Sequence, residues 1–341
     1  MPSFRTDIVV EILVDRPGLQ RVRLAAPMGD GELAYALTQL TGPVAVGDRV
    51  VVNTTAVELG LGTGGWHVVH WNLSRESWAS PGPGHILKLR YTSLQVDTGA
   101  ADERADGRSG EADDLRGLPV VACALHSQVA CVAAVFKAMA PGRRLVYLMT
   151  DGAALPLALS DLVHDLRRVG LLDATITAGQ AFGGDLEAVN LHSGLALSRS
   201  RLGAHAVVAG IGPGAVGTAS RLGHTGLEVS AIVDAAAKLG GQGVVASRYS
   251  NADARPRHRG VSHHTSTALD LSYSAPLVPS PDDVDVPDVG ALLRSHGLEV
   301  TTMGRGPDDD PAFFQWAGAA GVVAARLSMD APDAEADAAN G

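Results

Sequence analysis

The densest group of chemistry-bearing side chains lies between Arg248 and Thr265, in RYSNADARPRHRGVSHHT. Asp253, His258, His263 and His264 bring one carboxylate and three imidazoles into a single short stretch, a mixture that suits zinc, manganese or iron. Arg248, Arg255, Arg257 and Arg259 crowd the same stretch, and guanidinium groups are suited to holding a phosphate or carboxylate. A divalent ion here would activate water for attack on a small anionic, phosphate-containing substrate bound by the arginines. The spacing is not a known metal signature: HRGVSHH has histidines five and six apart, unlike the i, i+4 pair of a HExxH helix. On a strand, adjacent side chains point to opposite faces, so only one of His263 and His264 is expected to reach the ion. The plainer alternative is a surface network in which the arginines pair with Asp253 and the histidines satisfy local hydrogen bonds.

Other motifs carry less. Gly212-Pro-Gly214-Ala-Val-Gly217 in GIGPGAVGT has the spacing of a dinucleotide fingerprint. It does not open directly into a long helix, however, because Gly223 and Gly226 interrupt the next stretch of chain. Its backbone amides remain able to cradle a phosphate. No lysine followed by serine or threonine is present, which excludes a Walker-type loop. LGLGTGG, from Leu59 to Gly65, leads into the strand WHVVHW and reads as a hairpin or bulge, with His67 and His70 on opposite faces. Ser127 and Ser262 each neighbour a histidine but sit in no G-x-S-x-G elbow, so serine catalysis is not expected.

The elements that must position these residues alternate between strand and helix from residue 118 onward. PVVACAL, RLVYLM, ATITA, HAVVAGI and GVVASR read as buried strands. The helices between them are SQVACVAAVFKAMA, a second holding Leu159, Leu162, Val163, Leu166 and Val169, one around Leu186 to Ser198, and one from Leu227 to Leu239. A last helix, strand and helix lie near VGALLRSHG, LEVTTM and PAFFQWAGAAGVVAARL. Such an order predicts a parallel sheet covered on both faces, with ligands bound beyond the carboxyl ends of its strands. The segments at those ends hold His126, Asp151, Gln180, Asp185, Gly212, Gly214 and the arginine-histidine stretch. In this reading Asp151, Asp185 and His258 are catalytic, and Asp253, His258, His263 and His264 hold metal. His126, Gln180, Gly212, Gly214, Arg248, Arg255, Arg257 and Arg259 bind substrate.

Residues 1–95 differ in pattern. VVEILV, RVRLAA, RVVVNT, WHVVHW and HILKLR are short β-rich runs separated by turns, the spacing of a small antiparallel barrel or sandwich. Residues 96–117 are polar and acidic and read as a flexible linker, residues 118–327 as the α/β domain, and residues 328–341 as a disordered tail. The fold class expected is thus a three-layer α/β domain preceded by a small all-β, barrel-like one. A length of 341 residues fits two domains of ~100–200 residues each. Its net charge of −10 argues against extended nucleic acid, while the local arginines favour a small anion. No apolar run approaches the ~20 residues of a membrane span and Met1 to Arg21 has no signal-peptide pattern, so a cytoplasmic protein without membrane contact is expected. Cys123 and Cys131 sit in apolar surroundings and read as buried thiols.

ELGLGTGGWH, YLMTDGAALP, TAGQAFGGDLEAVN, GIGPGAVGT and RHRGVSHHT, in this order, resemble an uncharacterised bacterial family catalogued as domain of unknown function number 3866. The resemblance covers nearly the whole chain apart from the linker and tail. It implies the same boundaries and a cytoplasmic bacterial setting, and supplies no activity. HRGVSHH is also similar to the HRGxTH segment of some membrane-bound metal-dependent hydrolases, which adds weight to the metal. The sequence supports two readings: a metal-dependent hydrolase, or a regulatory or scaffold protein that binds a nucleotide or metabolite without turnover.

Overall fold

The computed structural model describes residues 2–25, 31–61, 64–103 and 113–330. The chain divides into two compact units, Met1–Gly99 and Ala100–Gly341.

The first unit is built on a closed barrel of β1 (Phe4–Arg16), β2 (Leu19–Leu24), β3 (Glu32–Ala36), β4 (Arg49–Asn53) and β5 (Trp66–Asn72), in the order β1-β2-β3-β5-β4. The long β1 closes it by pairing with β2 and β4, with register shifts at Val9/Glu11 and Ile12/Val14 that bend the strand. Alternation sends Val9, Val22, Leu24, Ala34, Ala36, Val50, Val52 and Val69 inward as one apolar cluster. The barrel is not wholly antiparallel, because β3 and β5 run parallel. HILKLR lies outside it: only Leu87–Lys88 (β6) is extended, paired with Val96–Asp97 (β7). Two single-turn helices, α1 (Thr38–Thr41) and α2 (Thr55–Glu58), lie between barrel strands. In LGLGTGG, Gly62 and Thr63 lie outside the described residues, as do residues 104–112 of the expected linker.

The second unit is the expected α/β sandwich. Its sheet holds β8 (Pro119–Cys123), β9 (Leu145–Thr150), β10 (Ala174–Ala178), β11 (Leu186–Ala188), β12 (Ala206–Ile211) and β13 (Gln242–Ala246), all parallel, in the order β11-β10-β9-β12-β8-β13. Each strand is buried on both faces. Val121, Cys123, Leu145, Tyr147, Met149 and Val208 meet one layer of helices, and Val120, Ala122, Val146, Leu148, Ile176 and Val207 meet the other. The first layer holds α3 (His126–Met139), α4 (Asp161–Arg168), α8 (Val289–Ser295) and α9 (Pro311–Asp330); the second holds α5 (Leu191–Ser200), α6 (Glu228–Lys238) and α7 (His263–Leu271). The α9 helix lies very close to α3: a Cβ at Gly321 would stand 2.7 Å from the Val132 carbonyl oxygen. A short antiparallel pair, β14 (Tyr249–Ser250) and β15 (Gly260–Val261), follows β13. Among the described residues no helix is long and apolar enough to cross a membrane.

In the second unit three further expectations differ. Leu186 begins a strand rather than a helix, and α5 starts only after Asn190, whose side chain caps it by accepting from Ser193 N at 3.0 Å. LEVTTM forms no strand: Leu298 and Val300 are buried, but the chain turns through Met303 and Gly304, both at positive φ. At the end of the chain α9 continues through Asp330 with Ser328 buried, and residues 331–341 of the expected tail lie outside the described residues.

Candidate functional site

The carboxyl ends of β12 and β13 carry the segments that converge. After β12 the glycine-rich segment folds back on itself: Gly217 pairs with His224, Thr218 N donates to Gly223 O at 2.8 Å, and Thr225 N donates to Val216 O at 2.9 Å. GIGPGAVGT therefore forms one side of a small hairpin whose return carries His224, not a dinucleotide loop entering a helix. After β13, Arg248 fastens the next segment, because its amide donates to Thr265 Oγ1 at 3.0 Å and its carbonyl accepts from Ser262 N at 2.8 Å. Ser262 caps α7, accepting from His264 N at 3.2 Å.

That cap corrects the expected exclusion between His263 and His264. The two residues open a helix, where neighbours are about 100° apart rather than opposed. Both join His224: one ligand atom from each of the three lies within 4.8 Å of the others. The His224 and His264 rings stack at 3.7 Å, and His263 meets His264 edge-on at 4.4 Å. Nε2 of His263 is buried without a hydrogen-bond partner, and the buried nitrogens of His224 have none of good geometry, the Arg221 backbone being a weak neighbour. Gly226 gives this group its space, since a Cβ there would come within 3.2 Å of His224 Nδ1 and 3.3 Å of His264 Cβ. Burial holds all three imidazoles below the usual histidine range; the next contribution comes from His263 for His224, from Arg257 for His263 and from His224 for His264. The rings are neutral at neutral pH, the state in which imidazole ligates metal.

His258 borders the group at 5.0 Å from His263 and 4.9 Å from His264, between ring centres. Its nitrogens are already engaged, Nδ1 with Ser262 Oγ at 2.7 Å and Nε2 with Arg257 Nε at 3.4 Å. Burial lowers its pKa to about 4, so it is a neutral brace for Ser262.

Beside the histidines is a cationic network centred on Asp253. Arg255 grips that carboxylate through two bonds of 2.9 and 2.8 Å, while Arg305 and Arg248 stand 3.6 and 3.7 Å away. The Arg255 bonds hold Asp253 far below the usual carboxylate range, so it is ionised throughout the physiological window. Asp310 accepts from Ser250 Oγ at 2.5 Å and from Arg305 Nε at 3.2 Å. Three guanidinium groups thus share two carboxylates, and the patch keeps a positive excess. Arg248 is the buried member, at 4% exposure, and donates to His264 Nδ1 at 3.1 Å. Burial, then repulsion from Arg255, lowers its pKa to about 10. Arg257 and Arg259 are exposed, and Arg259 reaches the Asp253 carbonyl at 2.9 Å.

The remaining expected site residues lie elsewhere on the unit. His126 and Gly214 line a cleft of about 350 Å³ with Ser127, Pro213 and Thr302. His126 donates from Nδ1 to the Ile211 carbonyl at 3.2 Å and accepts at Nε2 from Ser160 Oγ at 2.7 Å; burial lowers its pKa to about 4. Gly212 packs against the Ala154 carbonyl, 2.7 Å from where its Cβ would stand. Asp151 accepts from Gln180 N at 3.0 Å, so these two form a pair at the ends of β9 and β10. Asp185 is not at the carboxyl edge: it accepts from Thr175 N at 2.8 Å, near the start of β10, and pairs with Arg167. Asp253 does not face the histidines as a ligand, because its oxygens belong to the arginines. Sequence reasoning missed His224, Arg305 and Asp310. His224 had a signal, a histidine bracketed by Gly223 and Gly226 in the glycine-rich segment that follows β12; Arg305 and Asp310 had none, since only folding brings them to Asp253 and Ser250.

Among protein families, the one described as protein of unknown function (DUF3866) matches residues 33–286. No curated protein and no solved structure matches the chain. The matched stretch includes all three converging histidines, Arg248 and Asp253, and ends before Arg305 and Asp310.

Proposed function

The chain belongs to this family of proteins of unknown function, and we propose that it is a metal-dependent hydrolase acting on a small anionic, phosphate-containing substrate. The observation that carries the reading is the convergence of His224, His263 and His264 with unpartnered, neutral nitrogens among them. Three protein ligands leave a coordination position for water or substrate, the pattern of catalytic rather than structural zinc sites. A zinc or manganese ion held there supplies Lewis-acid chemistry and lowers the pKa of bound water. Arg248, Arg257 and Arg305 provide the positive field that draws and orients an anion. Asp151 and Asp185 are left out of this reading, because neither belongs to the group of ligand atoms that converges with His224, and Asp185 is tied to Thr175 and Arg167 at the other end of β10. In this reading the protein works in the cytoplasm on a small molecule, without extended nucleic acid or membrane.

The test is metal analysis of protein purified without a histidine tag. The expected result is about one equivalent of a divalent transition metal per chain, lost in a His224→Ala, His263→Ala double variant. Less than about a tenth of an equivalent, with no thermal stabilisation by added zinc or manganese, overturns the proposal.

One observation favours the second reading, a non-catalytic binder of a nucleotide or similar metabolite: His264 Nδ1 is already taken by Arg248. A binder responds to anions without metal. A phosphate compound at ~100 times its dissociation constant would then add about 2.7 kcal/mol of stability in the presence of a chelator.

A further inference from the structure

We infer that the site takes its metal ion and a phosphate-like oxyanion as a coupled pair, with Arg248 as the residue that couples them. The inference rests on the three-histidine metal reading and adds an order of events to it. A neutral imidazole has one lone pair. In His264 that lone pair is at Nδ1, where it accepts from Arg248 Nη1 at 3.1 Å, so the ring proton is on Nε2. Neither nitrogen is then available to an ion. To ligate through Nδ1, His264 must lose Arg248; to ligate through Nε2, it must move its proton to Nδ1, where that proton would face the Arg248 donor. Either route displaces the guanidinium.

Arg248 has little to fall back on. It is buried, and the carboxylate beside it, Asp253, is 3.7 Å away and already held by both Arg255 bonds. A displaced Arg248 is a buried cation with a poor partner, which opposes metal entry. A tetrahedral oxyanion resolves the conflict, because one oxygen can reach the ion while another accepts from Arg248. The ion gains His264 and an anionic oxygen, and Arg248 gains a full counter-charge. Each ligand therefore tightens the other, and the factor is reciprocal by linkage. A substrate bearing a phosphate would thus complete the centre on arrival.

The experiment titrates the full chain with cobalt(II), whose visible absorption reports nitrogen coordination, alone and with inorganic phosphate. Phosphate is expected to tighten cobalt binding by about five- to 150-fold in the unaltered protein, and cobalt to tighten phosphate by the same factor. Arg248→Gln is expected to bind cobalt more tightly than the unaltered protein when phosphate is absent, and to lose the tightening by phosphate. The reciprocal pair of titrations needs no variant, so it decides the matter even if Arg248→Gln does not fold. Cobalt binding that phosphate leaves unchanged or weakens overturns the coupling while leaving the metal site standing. An absence of cobalt binding with and without phosphate overturns the metal reading itself, and the coupling with it.

Discussion

Asp253 is the residue on which the cationic patch depends, because its one carboxylate faces Arg248, Arg255 and Arg305. Asp253→Asn removes the ionic partner while keeping the shape, and is expected to destabilise the fold by roughly 3–5 kcal/mol, read as a lowered denaturant midpoint. Titration acts at two other pH ranges. The folded pKa of His126 is depressed to about 4 by burial, so its contribution is complete above the unfolded value of about 6.5 and is lost as pH falls through about 4. Asp253 is also depressed, so its contribution goes only at still lower pH. Melting temperature is therefore expected to fall between about pH 6.5 and 4. His126→Gln, which cannot titrate, is expected to lose less over that interval, and an equal loss in a pH series of thermal melts counts against the assignment.

At the scale of elements, α7 matters because its first turn holds two of the three converging histidines. Ser262 fixes that turn by capping the His264 amide and by meeting His258 Nδ1. Ser262→Ala is expected to cost about 1 kcal/mol of stability and to weaken metal binding as the histidines lose their common setting. Thermal melts and a cobalt titration check the two effects separately. The sheet and its layers are legible in the sequence, since buried strands such as VVAC and LVYLM alternate with apolar helices in a way that only a covered parallel sheet satisfies. The start of α7 is not, because HRGVSHH has no apolar period and only the Ser262 cap turns it from extended chain into helix. For the same reason the hairpin that returns His224 looks, in sequence, like a plain glycine turn.

For the whole molecule, the two units have separate cores: the barrel cluster runs from Val9 to Val69, and the two clusters of the α/β unit draw on residues 115–325. All the converging histidines and arginines belong to the second unit. A protein comprising residues 113–330 is accordingly expected to respond to zinc in thermal melts as the full chain is expected to, with the same rise in melting temperature. Loss of that response in a folded fragment would overturn the placement of the whole site within the second unit.

By itself the sequence determined the three-layer order and five of the six parallel strands, and pointed to their carboxyl edge as the place for a site, because these follow from local hydrophobic periodicity and from chain direction in a parallel sheet. It also placed the arginines beside His258, His263 and His264, since these are neighbours along the chain. Only the tertiary structure decided which groups meet. His224 comes from the strand-end segment after β12, and Arg305 and Asp310 come from the far side of α8, so their distances to His264 and Asp253 depend on packing between segments that share no local pattern. The same packing removed Asp185 to the opposite end of the sheet and set Arg248 on the lone pair that a metal ion would need.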